Sequence, residues 1–304
     1  MRFRRKKKKK KKPPLIVRLA HRFGWYPGPV AAYLLGWVEA IVEAVAIALI
    51  IINFVTVHMY VPSESMIPTI KPGDRFFVDR ISYYFRDPKP GDVVVFYHLE
   101  SLKVTGVRKG SPADVAGLEP GDWIVYPGDP SLGVGGEPIS HLLVLKERIR
   151  AHRGEDLVFT VLRGEFPRAV RLDLTVSVPP DADDLSDLGI RYKARYARYV
   201  KRLIAVGGQT VEIKGGKVYV DGKVPGFAAA HTYWAGDPRM RYGVTPTPVP
   251  EGYYFVLGDN TMNSSDSRYW GFVPARAFIG EPYFRIWPLP RFGPMNGYFG
   301  SSKW

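Results

Sequence analysis

The nucleophiles and bases in the sequence limit the chemistry open to this chain. It has no cysteine, which excludes a thiol nucleophile, a disulfide framework and cysteine-ligated zinc or iron–sulfur sites. A serine nucleophile needs a base, but none of the six histidines lies in a triad-like context and no Gly-x-Ser-x-Gly motif occurs. A lysine can serve as the base when burial keeps its amine neutral.

Lys201 is a lysine whose context fits that requirement. It lies in the strand-like segment 199–204, where alternation puts it on one face with Tyr199 and Leu203, and puts Arg202 on the opposite face. An ordinary strand lysine packs its stem on the sheet and keeps its amine in water. The strand alone favours that ordinary role, and both interpretations stay open.

The charge of the chain is concentrated in one tail. Of a formal net charge of +14, ten positive charges fall in the first twelve residues, which leaves +4 for the remainder. A nucleic-acid-binding domain carries its basic residues on a folded face, so we expect no nucleic-acid partner. The hydrophobic content of 46% is enough for a packed core and argues against global disorder.

Residues 37–57 predict a membrane-spanning helix. This segment has 21 residues, which at the helical rise extend roughly 31 Å, the thickness of a bilayer core. A buried helix of a soluble protein is one alternative, but residues 44–52 are apolar on every face. A cleavable signal peptide is another, but no clear small-x-small cleavage site follows the segment.

The flanks of this segment predict its orientation. Lysines and arginines crowd the N-terminal side, so we expect residues 1–36 to form a basic cytoplasmic tail and linker, with the remaining chain on the outer, extracytoplasmic side of the cell membrane. Lys6–Lys12 can also bind the anionic headgroups of the cytoplasmic leaflet. Alternatively, these lysines are solvated and only determine the orientation of the span. Residues 15–30 are compatible with a short interfacial helix. Glu39 and Glu43 share one helix face near the start of the span, where they reach the headgroups or face a partner.

Four sequence pieces beyond the anchor carry a family resemblance. They are residues 63–69 (SESMIPT), residues 71–78 (KPGDRFFV), residues 199–208 (YVKRLIAVGG) and residues 258–274. Together they resemble bacterial type I signal peptidase, the membrane-anchored serine protease that removes signal peptides from exported proteins. The resemblance covers the anchor, residues 58–98 and residues 194–293. It implies a mainly β fold, with an antiparallel β catalytic domain behind one N-terminal transmembrane helix.

The resemblance also assigns roles to individual residues. Ser65 matches the nucleophile and Lys201 the general base. Ser63 matches a side-chain donor to the oxyanion, acting with the backbone N–H of Ser65. Three more residues match supporting positions, one that orients the lysine and an ion pair that holds the lysine-bearing region: Ser264, Asp266 and Arg268.

Substrate choice is expected to follow from a shallow apolar pocket. Signal peptides end in small residues at the first and third positions before the cut, and such a pocket accepts little more than alanine. The expected partners are therefore signal peptides of exported preproteins and the lipid bilayer, and we expect no metal or other cofactor. By resemblance the pocket residues are Val61, Pro62, Met66, Ile70, Phe76, Tyr199 and Val200, although core packing explains most of them equally well.

Residues 99–193 form an insertion between the two parts of the catalytic domain. The pieces Ser111-Pro112-Ala113, Ala116-Gly117-Leu118 and Gly121-Asp122-Trp123-Ile124 resemble a bacterial PDZ domain, an α+β module. A helix over 142–151 and strands over 156–163 and 171–176 are predicted to follow. PDZ domains bind a peptide C-terminus, and in a permuted order the carboxylate loop would be Leu188-Gly189-Ile190. A spacer that binds nothing is the alternative.

The sequence therefore predicts a single-span membrane serine endopeptidase with residues 294–304 as a C-terminal tail. Two other functions stay open. One is a membrane-tethered PDZ adaptor with an inactive protease domain, against which the intact Ser65, Lys201 and Ser264 argue. The other is a Ser–Lys protease that cleaves itself or one regulator, and the anchor together with residues 258–274 favours the signal peptidase instead.

Overall fold

A computed structural model describes residues 13–50, 52, 55–126, 129, 131–229 and 231–295. The chain divides into two compact units, residues 1–57 and residues 58–304. The basic run Lys6–Lys12 lies outside the described residues, as do residues 296–304 of the predicted tail. The first two residues of that tail belong to the fold, since Pro294 lies in a strand and Met295 is fully buried.

The first unit contains two helices, α1 (Leu15–Arg22) and α2 (Pro29–Ile50). By length and composition α2 is able to cross a membrane. Helix α2 shares residues 37–50 with the predicted span of 37–57 and includes eight residues before it. Helix α2 begins earlier because residues 29–36 are also helix-compatible and a proline suits the first helical turn. Its continuously described residues run to Ile50, and residues 56 and 57 already belong to a strand.

Glu39 joins the two helices. Its carboxylate accepts hydrogen bonds from the backbone N–H groups of Leu15 and Ile16, each at 2.8 Å. The residue before α1, Pro14, provides no side-chain cap, so Glu39 satisfies two N–H groups that a helix start leaves free. Because α2 begins at Pro29, Glu39 lies near the middle of the helix and not near its start, and the partner it faces is α1.

The second unit consists mainly of antiparallel strands. Three short helices accompany them: α3 (Pro112–Val115), α4 (Leu142–Ala151) and α5 (Ser267–Trp270). The strands are β1 (Thr56–Tyr60), β2 (Arg75–Asp79), β3 (Val93–Val107), β4 (Trp123–Val125), β5 (Gly133–Val134), β6 (Glu137–Pro138), β7 (Asp156–Arg163), β8 (Val170–Ser177), β9 (Ile190–Val206), β10 (Thr210–Lys214), β11 (Lys217–Val220), β12 (Thr247–Pro248), β13 (Tyr253–Leu257), β14 (Val273–Pro274), β15 (Phe278–Trp287) and β16 (Gly293–Pro294).

The described strands form two sheets. The larger has the order β1-β2-β15-β3-β4-β7-β5-β6, with β9 pairing both β3 and β13, β14 pairing β13, β8 pairing β7 and β16 pairing β15. The smaller has the order β11-β10-β12. These pairings confirm a mainly antiparallel β architecture.

The two longest strands, β3 and β9, make one continuous ribbon. Their pairing runs from Val93 opposite Arg202 to Val107 opposite Ile190. The register shifts twice, because Glu100 and Thr105 of β3 are extra residues without partners in β9. Residues 99–193 are therefore joined to the part of β9 that contains Lys201 by a two-stranded ladder and not by loops.

The inserted residues have a hydrophobic core of their own. It runs from Leu99 to Ile190 and includes Ile124, Leu145 and Phe159, all nearly or fully buried. The predicted helix over 142–151 and the two predicted strands are confirmed as α4, β7 and β8. Two further cores, one around Phe255 and one around Phe96, include residues of the ribbon strands nearer Lys201.

Candidate active site

Ser65 lies in a tight turn held by the 258–263 loop. The turn closes through backbone hydrogen bonds from Ile67 to Glu64 and from Ile70 to Met66. The N–H of Asn260 donates to the carbonyl of Ser65 at 3.0 Å, and the Asn260 side chain donates to the carbonyl of Glu64 at 3.2 Å. The position of the Ser65 hydroxyl is thus fixed by a segment distant in sequence.

Lys201 reaches this turn from β9. Its Nζ lies 2.8 Å from Ser65 Oγ, and the two residues are only 4% and 6% exposed. Burial lowers the pKa of Lys201 to about 8. The nearby carboxylates of Asp266 and Asp259 act in the opposite direction, but their effect is smaller. The alternation predicted for the strand is correct, since the ring of Tyr199 lies 5.5 Å from the same Nζ.

Ser63 also approaches the nucleophile candidate. Its Oγ is 3.3 Å from Ser65 Oγ. The two hydroxyl groups therefore lie within hydrogen-bond distance of each other.

Ser264 is close to the turn but does not make the predicted contact. No hydrogen bond joins it to Lys201, and within the described residues its buried Oγ has no partner at all. It is held beside Gly258, where a Cβ would lie 2.2 Å from Ser264 Oγ and 2.5 Å from the carbonyl oxygen of Ser65. Glycine at position 258 is what allows these two groups to approach each other.

Asp266 and Arg268 form a fully buried ion pair. Arg268 Nε donates to one carboxylate oxygen at 2.7 Å and Nη2 to the other at 2.8 Å. Asp266 also accepts from the backbone N–H of Gly258 at 3.0 Å, and Arg268 donates to the Ser264 carbonyl at 3.3 Å. The pair thus fixes both sides of the segment that contacts Ser65.

A second buried ion pair, Arg202–Asp259, was not predicted. Both N–H···O bonds measure 2.7 Å, and Arg202 donates further to the carbonyl of Gly91 at 2.8 Å. Asp259 also accepts from Thr69 of the nucleophile turn. The sequence did contain an indication of this pair. Arg202 lies on the strand face opposite Lys201, where a buried guanidinium needs a carboxylate partner, and residues 258–274 contain Asp259.

His98 is another neighbour that the sequence did not indicate. Its ring stacks on Tyr199 and packs against Trp270, with both centroid separations 4.6 Å. Burial, and then the nearby Lys201 charge, lower the pKa of His98 to about 3. A neutral imidazole therefore backs the aromatic ring that contacts the lysine.

A known protein family matches the segments that contain Ser65 and Lys201. Residues 34–157 and 150–287 match the family model described as signal peptidase, peptidase S26. The chain belongs to the signal peptidase S26 family.

Named relatives agree with this assignment. The probable signal peptidase I-1 of Synechocystis sp. is 27% identical over 261 residues, covering 86% of this chain and 86% of its own. Signal peptidase I of Leptolyngbya laminosa is 27% identical over 259 residues, covering 85% and 82%. Signal peptidase I of Mycobacterium tuberculosis is 30% identical over 276 residues, covering 83% and 72%.

In this signal peptidase family member the predicted pocket residues are mostly buried. Five of the seven are at most 4% exposed: Val61, Met66, Ile70, Phe76 and Val200. Tyr199 is half-buried and Pro62 is exposed. Their burial is compatible with the floor of an apolar pocket and equally with core packing.

The predicted carboxylate loop of the insertion is a closed turn. The N–H of Gly189 donates to Ser186 and that of Ile190 donates to Leu185, at 3.0 and 2.9 Å. Leu188 and Ile190 are buried. Binding a carboxylate through those two N–H groups would require both hydrogen bonds to break.

In the described part of the chain, no group of three or more His, Asp or Glu residues is arranged so that it could hold a metal ion.

Proposed function

We propose that this chain is a membrane-anchored serine endopeptidase that removes N-terminal signal peptides from exported preproteins by means of Ser65 and Lys201. The observation that carries the proposal is the 2.8 Å separation of Lys201 Nζ and Ser65 Oγ, both buried. Membership in the signal peptidase family and the names of its relatives support the substrate class.

The reaction begins with a proton transfer. Neutral Lys201 accepts the hydroxyl proton of Ser65 while Oγ forms a bond to the scissile carbonyl carbon. The tetrahedral intermediate then expels the amine of the mature protein, and the Lys201 ammonium returns the proton to that amine. Water, deprotonated by the same lysine, hydrolyses the acyl-enzyme and regenerates Ser65.

The oxyanion needs donors placed before the reaction. Ser63 Oγ and the backbone N–H of Ser65 take that role in the proposal, and the 3.3 Å separation of the two hydroxyl oxygens supports it. Asp266 and Arg268 hold Ser264 and Gly258 against the nucleophile turn. Ser264 is proposed to position Lys201. When Lys201 Nζ turns away from Ser65, Ser264 Oγ can accept a hydrogen bond from it.

A membrane anchor fits both the sequence and the family. Helix α2 is the proposed span, and the basic flank before it supports a cytoplasmic N-terminus with the catalytic domain on the outer side. Protease added outside spheroplasts should then digest the chain beyond about His58 and spare the basic tail. Protection of the 258–274 region would reverse this orientation.

The inserted region is proposed to be a PDZ-like module. Its separate core and the order α3, β4, α4, β7, β8 support the resemblance. A peptide ligand at Leu188-Gly189-Ile190 requires the closed turn to open, so a C-terminal peptide library tested against the whole protein would decide between a binding module and a spacer.

The direct experiment is to incubate purified protein with a preprotein and sequence the product N-terminus. We expect one cut, after a small residue at the first and third positions before the bond, as a small apolar pocket at Val61, Met66 and Val200 requires. An uncut preprotein, with the chain cleaving only itself, would favour the narrow regulatory protease instead.

A further inference from the structure

One face of the β3–β9 ribbon carries a row of cations. In the first half of β9, Arg191, Lys193 and Arg195 are exposed. The residues between them pack toward the core of the insertion: Tyr192, Ala194 and Tyr196. Lys103 of β3 lies directly opposite Lys193, and its amine is 4.7 Å from the ring of Trp123. Four positive charges thus occupy adjacent positions on two paired strands.

Very little neutralises this row. Arg195 is 3.1 Å from Glu100, but its side chain is 73% exposed, and such surface pairs contribute little. Among the described residues, neither Arg191 nor Lys193 has a carboxylate within salt-bridge distance. Like charges directly opposite in a ladder destabilise it, so the Lys103–Lys193 pair is costly for the fold.

The cations are segregated within the insertion. Residues 99–193 contain twelve lysines and arginines but fifteen aspartates and glutamates. The acidic residues cluster elsewhere, four of them between 181 and 187, while β9 contains none. Three of the four cations therefore lie in a module whose net charge is negative, and the fourth, Arg195, follows it directly.

Protection of a strand edge explains only part of this pattern. β9 pairs with β13 only from Arg202 onward, so its first half has a free edge in the described sheet, and cations on a free edge deter pairing with other chains. Lys103 does not fit that explanation. It lies on β3, which pairs β9 on one side and β4 on the other at this position.

We propose that this row, Lys103, Arg191, Lys193 and Arg195, binds the anionic headgroups of the bilayer in which the chain is anchored. A tethered module meets its own membrane at high effective concentration, so weak charge contacts are sufficient. Each lysine or arginine near an anionic surface contributes about a fivefold preference. Trp123 beside Lys103 suits the interface, where tryptophan is enriched. The proposal rests on the membrane anchor and not on the roles of Ser65 and Lys201.

The absence of native cysteine allows a direct test. Thr105→Cys introduces a thiol at an exposed position of the ribbon, and Lys223→Cys introduces one at an exposed turn outside it. Each full-length variant is labelled with a fluorophore and reconstituted into vesicles of phosphatidylcholine, or of phosphatidylcholine with phosphatidylglycerol, containing a headgroup-linked quencher. We expect stronger quenching at position 105 in the anionic vesicles, weakened by high salt, and no lipid dependence at position 223.

A charge variant and a matched control complete the experiment. The triple variant Arg191→Gln, Lys193→Gln, Arg195→Gln should lose the lipid dependence of quenching at position 105. The preference of the surface for anionic over neutral vesicles should fall by up to about 100-fold. The variant Lys109→Gln, Arg168→Gln, Arg171→Gln removes the same number of exposed charges from the same module and should keep it.

Other results would overturn the proposal. Equal quenching in both lipids would leave edge protection, or an acidic protein partner, as the role of the row. An equal loss in both triple variants would mean that total charge matters and not this surface. Preprotein cleavage in detergent, measured on every variant, separates these outcomes from misfolding and from failure of the proposed catalytic function.

Discussion

The amine of Lys201 lies 2.8 Å from the hydroxyl oxygen of Ser65, and no histidine in the described part of the chain forms a hydrogen bond to either group. The arrangement makes one buried lysine both the proton acceptor and the proton donor of the proposed reaction. Its consequences for mutation and for pH can be stated directly.

Ser65→Ala and Lys201→Ala should each reduce preprotein cleavage by at least about 1,000-fold, because the two groups act as one proton-transfer unit. Lys201→Arg should fail equally, since a guanidinium stays protonated. The measurement is single-turnover cleavage of a preprotein, with Lys223→Ala, an exposed lysine, as the control. Substantial cleavage by Lys201→Ala would remove the lysine from the mechanism.

The pH dependence follows from the lowered pKa of Lys201. With a folded-state pKa of about 8, only about a tenth of the molecules carry the neutral amine at pH 7. The rate constant kcat/KM should therefore rise about tenfold per pH unit below 8 and level off above it. A profile that stays flat down to pH 5 would identify another base.

The same pKa predicts a change in stability. The unfolded chain binds the Lys201 proton up to its ordinary pKa, whereas the folded chain releases it at about 8. Between these two values the unfolded state holds more protons, so stability should rise with pH in this window. Urea unfolding of wild type and of Lys201→Met, compared at pH 7.5 and pH 10, measures the difference. Parallel behaviour of the two proteins would contradict it.

Gly258→Ala should disable the site without unfolding the protein. The added Cβ would meet Ser264 Oγ at 2.2 Å and the Ser65 carbonyl oxygen at 2.5 Å, and the second contact is with backbone. A displaced nucleophile turn should lower kcat by about 100-fold. Gly226→Ala is the matched control, since its Cβ would meet nothing within 4 Å. Wild-type kcat in Gly258→Ala would show that the turn tolerates the shift.

Removal of the insertion should leave a protease. Replacing residues 100–193 by a short glycine-containing turn retains His98 and Lys201. The change in loop length alters the free energy of loop closure only slightly. The replacement removes several hydrogen bonds to the retained residues, among them Ser140 Oγ to the Phe272 carbonyl and Arg241 to the Gly136 carbonyl, each at 2.5 Å, and Tyr253 to Glu147. We expect cleavage of a model signal peptide within about tenfold of wild type. A folded but inactive variant would mean that the insertion helps to build the site.

The sequence predicted the strands better than the contacts around Ser65 and Lys201. Periodicity sufficed for α4, β7 and β8, and alternation along β9 separated Lys201 from Arg202. The Arg202–Asp259 pair was not predicted because it joins residues 57 positions apart, and pairing over that separation depends on the register between β9 and β13. The partner of Glu39 depended likewise on a helix start that hydropathy alone set too late.

The two unpaired residues of β3, Glu100 and Thr105, bear on which side chains of the ribbon share a face. In a ladder, gain or loss of one residue in a single strand exchanges its two faces beyond that point. Such a change in β9 before Lys201 would turn Arg202 toward Ser65 and Lys201 toward Asp259. Both extra residues lie instead in β3, and the bulges absorb them locally. Two extra residues in the outer ribbon therefore leave the alternation of β9, and with it the face on which Lys201 lies, unchanged.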